Sequence, residues 1–236
     1  MKQKFLKGFT LVELLIVIAL IAILSVAVLS TINPIEQSNK ARDAKFKNDA
    51  AEVMNATERY YASINKYQWT SVYPLADGNY VADNSEGIAF TSLDPRFGIT
   101  GNAIVADEYE TQGPLIKTSE LKGVFKGKEE FAATAIANNV DAMYIFHSTD
   151  SNYVCFCPKA KANRTGPNAA FLKCLNNVTT VGNPLNASTA TLVDIDAASC
   201  LAPTEAEASS TTFCNVDVAA PTFANLMCVP EGNIQN

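Results

Sequence analysis

Between Gly8 and Leu29 the chain holds a single ionisable side chain, the carboxylate of Glu13, in an otherwise apolar run. An acid within a membrane-spanning helix costs about 2.5–3.5 kcal/mol on insertion scales, less near the interface. A carboxylate kept at that cost implies a cationic partner. Residues suited to bond chemistry are sparse elsewhere. The one histidine, His147, falls in a stretch read as a polar turn, where it is expected to be solvated, and there is no Gly-x-Ser-x-Gly elbow. Gly123-Val-Phe-Lys-Gly127-Lys128 is one residue short of a phosphate loop and lacks the Ser or Thr that would hold magnesium. Asp194 and Asp196 lack a third calcium-ligand pattern and read as a solvated loop. No catalytic residue, metal site or cofactor is assigned.

Six cysteines, Cys155, Cys157, Cys174, Cys200, Cys214 and Cys228, are the remaining reactive groups, all in the last third of the chain. An even set confined to one region fits disulfides made outside the cytoplasm, with reduced thiols or a zinc site as the alternative. Cys155 and Cys157 are two apart on an expected strand, so they share a face and should bond to later cysteines rather than to each other. Six cysteines allow fifteen pairings, and spacing does not choose among them.

These groups must be positioned by the elements around them. The 236 residues suffice for one sizeable domain and an extra element, and 48% hydrophobic with 18% charged residues is ordinary for a folded protein. With 18 Lys and Arg against 24 Asp and Glu, the chain lacks the clustered positive charge of a nucleic-acid surface. Lys2, Lys4 and Lys7 precede an apolar stretch from Phe9 to Leu29, which is 21 residues long and interrupted after Leu14 only by Ser25. That length spans a bilayer as a helix, and the lysines would stay cytoplasmic. A cleaved secretory signal with Ser25-Val26-Ala27 as its small-residue site, or a plain anchor, accounts for the run but not for Glu13.

Lys7-Gly8-Phe9-Thr10-Leu11-Val12-Glu13-Leu14-Leu15, followed by an unbroken aliphatic helix, resembles the processing motif of type IV pilins and type II secretion pseudopilins. The resemblance implies that a prepilin peptidase cuts after Gly8 and methylates the new amino terminus at Phe9. Glycine leaves that bond sterically open. It also implies that Glu13 neutralises the Phe9 amine of a neighbouring subunit and so sets axial register during assembly. Within the same chain the amine lies four residues away, about one helical turn.

Asn33-Pro34 then predicts a kink or short break, and a kink is favoured because a second helical pattern starts at once. From Glu36 to Ile64 there is no Gly or Pro, and Phe46, Ala50, Val53, Thr57, Tyr60 and Ile64 form one mostly apolar stripe that should pack on a sheet. Asp43 and Lys47 read as an ion pair on the other side. Residues 41–67 resemble, more loosely, the second half of the long pilin helix. Beyond Asn65, residues 65–102 look loop-dominated, Glu129–Val140 reads as a short helix, and Ala142–Phe146 with Tyr153–Cys157 reads as an antiparallel hairpin. Pilin heads often close their C-terminal region with a disulfide, so the resemblance suggests a bridge at Cys228. Asn163, Asn177 and Asn186 begin glycosylation-like triplets.

The expected fold is α+β: a long N-terminal helix, transmembrane in its first half and amphipathic in its second, against an antiparallel β-sheet head with disulfides. The expected parts are a leader at 1–8, a transmembrane and filament-core helix at 9–32, its amphipathic half at 33–64, and a globular α+β head at 65–236, cysteine-containing from 155. The resemblance implies a non-enzymatic subunit of a type IV pilus-like filament, single-pass in the cytoplasmic membrane before assembly and extracellular after it. Implied partners are further copies of the chain, a prepilin peptidase, an inner-membrane assembly platform and an assembly ATPase. A pseudopilin of a type II-like secretion system is one alternative, although the large head and six cysteines lean towards a pilus. An exported or anchored binding protein is the other, against which Glu13 and the Lys7–Phe9 junction argue.

Overall fold

The structure, a computed structural model, describes residues 8–31, 33–71, 88–92, 94–100, 112–131, 141–148, 151–176, 190–195, 200, 203–204, 206, 213–214 and 222–231. The chain divides into two compact units, Met1–Ser38 and Asn39–Asn236.

The first unit contains helix α1, Leu11–Thr31. Its aliphatic residues and alanines carry no competing polar group, and Ser25, the one polar residue beyond the first turn, returns its hydroxyl to the carbonyl of Ile21 at 2.7 Å. Helix α2, Pro34–Ile64, begins in this unit and runs into the second. Asn33 caps its start: Oδ1 accepts the amides of Ile35 at 3.1 Å and Glu36 at 3.3 Å, and the Asn33 carbonyl accepts Gln37 N at 3.2 Å. Pro34 is therefore the first helical residue, where its missing N–H costs nothing. Where a kink within one helix was expected, there is a stop after Thr31 and a capped restart, because the Asn33 side chain takes the amides that a continuous helix would have engaged.

In the second unit, a six-stranded antiparallel sheet takes the order β1-β2-β3-β6-β4-β5. The strands are β1 Ile88–Thr91, β2 Met143–His147, β3 Asn152–Phe156, β4 Leu172–Asn176, β5 Thr191–Asp194 and β6 Thr222–Val229. The expected hairpin is present as β2 and β3, with Met143 opposite Phe156 and His147 opposite Asn152. Helix α2 packs on the face bearing Asn152, Val154 and Phe156: Phe46 meets Phe156 edge-on at 5.7 Å, and Asn152 donates its side-chain amide to Glu58. Phe46, Ala50, Val53, Thr57 and Tyr60 are all buried, as the stripe requires, whereas Ile64 is 41% exposed at the helix end. Each large apolar side chain buried here is worth about 1.5–3 kcal/mol.

Three polar stitches fix α2 to the head. Asp43, 2% exposed, accepts the amides of Lys159 at 2.8 Å and Ala160 at 2.9 Å and the side-chain amide of Asn163 at 2.8 Å. Beside it, Arg42 reaches the Cys157 carbonyl at 3.1 Å and Asp141 at 2.7 Å. Farther along, Lys128 pairs with Asp49 at 2.5 Å, and Arg59 with Glu120 at 3.0 Å. The expected Asp43–Lys47 pair is thus replaced: Asp43 faces inward to cap the chain after β3, while Lys47 pairs with Glu231 at 2.7 Å. A short-range pair on a helix is worth only a few tenths of a kcal/mol, so three buried hydrogen bonds outweigh it.

The six cysteines form three bridges: Cys155–Cys228, Cys157–Cys214 and Cys174–Cys200. Cys155 and Cys228 stand directly opposite on β3 and β6. With separations of 73, 57 and 26 residues, loop-closure entropy assigns about 4.4, 4.2 and 3.5 kcal/mol to each bridge taken alone.

Two further expectations change. His147 is the last residue of β2 and only 6% exposed, its Nδ1 2.8 Å from Asn152 Oδ1 and its ring against Tyr67 and Trp69. Aromatic residues after α2 cover the strand end that was read as an open turn. At Glu129–Val140 the described part, Glu129–Phe131, is a 3₁₀ turn, and residues 132–140 lie outside the described residues.

Candidate processing and assembly segment

Gly8, Phe9 and Thr10 lead into α1 without helical structure. A Cβ built on Gly8 would meet nothing within 4 Å, so the bond after it is open to a peptidase, and Phe9 is 84% exposed. Lys2, Lys4 and Lys7 lie outside the described residues.

Glu13 sits in the first turn of α1, and Thr10 is bound to it in both directions. The Thr10 amide donates to Glu13 Oε2 at 2.9 Å, the Thr10 hydroxyl donates to the same oxygen at 2.8 Å, and the Glu13 amide donates to Thr10 Oγ1 at 3.2 Å. This is a capping box: each side chain satisfies an amide that the helix start leaves without a partner. The negative charge also lies at the positive end of the helix dipole. Glu13 therefore has an intramolecular task before any neighbour arrives, and its carboxylate is held one turn from the future amino terminus at Phe9. Thr10 was missed as a functional residue, although Thr10-Leu-Val-Glu13 carries the Thr-x-x-Glu spacing that marks such a box.

Beyond the cap, Leu11–Val28 is long and apolar enough to cross a membrane, and none of it is buried within the chain. Leu11, Ile16, Ile21, Leu24 and Val28 are each more than half exposed, so apolar surface points in every direction around the axis. Such a helix needs lipid or other helices around it. The Ser25 hydroxyl, satisfied by Ile21, removes the one polar cost beyond the cap.

The remaining candidates take structural places. Asp194 is ion-paired to Lys173, a side chain only 1% exposed, and Asp196 lies outside the described residues. Among the described residues, no group of three or more His, Cys, Asp or Glu could hold a metal ion. Gly123–Gly127 is a 3₁₀ turn. The Asn163 amide nitrogen is engaged by Asp43, while Asn177 and Asn186 lie outside the described residues.

Together these features define an α+β protein with a disulfide-bonded head and a capped, wholly exposed apolar N-terminal helix. Residues 6–29 match the prokaryotic N-terminal methylation motif, the signal carried by type IV pilins and pseudopilins. No curated protein and no solved structure matches the chain. The motif supports a type IV pilin-like or pseudopilin-like protein and marks a structural rather than an enzymatic class.

Proposed function

We propose that this chain is the precursor of a structural subunit of a type IV pilus-like surface filament. In this reading a prepilin peptidase cuts after Gly8 and methylates Phe9, and the subunit polymerises through α1. The carrying observation is the helix itself: apolar on every side, with a single carboxylate held at its entrance by Thr10. A helix of that kind is soluble in lipid before assembly and in a bundle of its own copies afterwards, and the Glu13 carboxylate can exchange the Thr10 hydroxyl for a neighbour's amine. Three disulfides support an exported head. The energy of assembly would come from an assembly ATPase acting through an inner-membrane platform, since the chain offers no nucleotide loop.

Mass spectrometry of the N-terminal peptide, from membranes and from the shed fraction, tests the reading. It expects a chain starting at methylated Phe9, and Gly8→Val should leave the leader attached. A chain starting at Val28 would sink it, because Glu13 would then belong to a discarded peptide. A subunit correctly processed but confined to short periplasmic polymers would point to the pseudopilin alternative.

A further inference from the structure

Glu130 is wholly buried in the 3₁₀ turn Glu129–Phe131, against α2. Its carboxyl is in hydrogen-bonding contact with that of Asp49, yet both Glu130 oxygens and Asp49 Oδ2 lack a donor among the described residues. Two ionised carboxylates would leave three buried lone-pair sites unmet and two like charges in contact. One proton placed between them removes both costs.

The other charges around the pair cannot do the same. From α2, Lys45 Nζ stands 3.5 Å from Glu130 Oε2 and 3.4 Å from Glu129, on a side chain 45% exposed, so its charge is shared and partly solvated. From the turn itself, Lys128 is committed to Asp49 Oδ1 at 2.5 Å and lies 3.5 Å over the Phe125 ring. The turn after β1 offers Ser92, whose hydroxyl goes to the Glu130 carbonyl at 2.5 Å. Asp94 and Arg96 beyond it are closed on each other at 2.6 Å.

We infer that Glu130 and Asp49 share one proton, and that this proton is a pH-sensitive latch holding Gly123–Phe131 against α2. Burial, then the Asp49 carboxylate, push the Glu130 carboxyl up to about 7 from an ordinary 4.5. The folded value exceeds the unfolded one. The stabilisation is therefore fully present below the unfolded value and is lost as pH rises through the folded one. Acid tightens the turn on the helix, and mild alkali releases it.

Hydrogen exchange on the full chain in detergent micelles, with intrinsic pH effects divided out, tests this. From about pH 5.5 to about 8.5, protection of the Phe125, Lys128 and Phe131 amides should fall at least roughly tenfold relative to the β3 amides. Glu130→Gln keeps the bulk and can donate to Asp49 but cannot ionise, so its protection should stay level. A level wild type, or an equal fall in Glu130→Gln, overturns the proposal. Should that variant fail to fold, carbon-13 titration of the Glu130 carboxyl in the wild type decides: a midpoint above about 6 supports the shared proton, and one below it overturns the idea.

Discussion

Asp43 Oδ2 accepts the main-chain amide of Ala160 at 2.9 Å, tying α2 to the chain that leaves β3. The same carboxylate takes Lys159 N and the Asn163 side chain, all within a site 2% exposed. Replacing it with alanine leaves two amides buried without acceptors. Asp43→Ala should cost about 2–4 kcal/mol, whereas Asp43→Asn, which keeps one acceptor, should cost less. At roughly 2–4 °C per kcal/mol for a chain of this size, thermal unfolding in micelles separates the two.

Thr10 and Glu13 form one unit at the start of α1, so they should fail differently. Glu13→Ala removes both the cap and the charge, and should leave cleavage largely intact while filament yield drops sharply. Thr10→Val keeps the charge and only frees it, so yield should fall less. Immunoblots of sheared filaments beside the processed membrane pool measure both, and normal yield from Glu13→Ala would end the register argument.

The Lys173–Asp194 pair gives an asymmetric prediction. Lys173 is buried to 1%, whereas the Asp194 side chain is 34% exposed. Asp194→Ala strands a buried ammonium and should cost about 2–3 kcal/mol, less than a fully buried pair because Asp194 is partly solvated. Lys173→Met with Asp194→Ala should recover most of that loss, since methionine fills the lysine's volume without a charge. Denaturant midpoints of the two variants and the wild type give the answer.

Of the three bridges, Cys174–Cys200 closes the shortest loop, 26 residues. Its double replacement by serine should lower stability by up to about 3.5 kcal/mol. Removing Cys155 and Cys228, separated by 73 residues, should lower it more. Chemical denaturation of both double variants tests the order, and equal losses would show that chain entropy does not set it.

How far the fold was legible follows from the range of each signal. The start of α1, the α2 stripe and the β2–β3 hairpin rest on neighbours within a few residues, and they were read correctly. Asp43 was misplaced because its partners, Lys159 and Ala160, are more than a hundred positions away in sequence. His147 was misread for a similar reason: Tyr67 and Trp69, which cover it, belong to a segment read only as loop. The disulfide pairing depends on β6 lying beside β3, a non-local contact that no cysteine spacing encodes. Thr10 is the exception, a local motif that was present and overlooked because the argument about Glu13 looked outward to a partner.

The place of β6 has a bearing on manufacture. It pairs with β3 on one side and β4 on the other, although Thr222–Val229 is made after every other described strand. While the N-terminal helix is already held in the membrane, the emerging head consists of two part-sheets with raw facing edges. Only arrival of Cys228 lets the middle close and the Cys155 bridge form. A chain halted short of Thr222 would carry a sound anchor and no finished head, leaving it exposed to proteolysis, so completeness of synthesis is inspected by the fold before the subunit is fit for use.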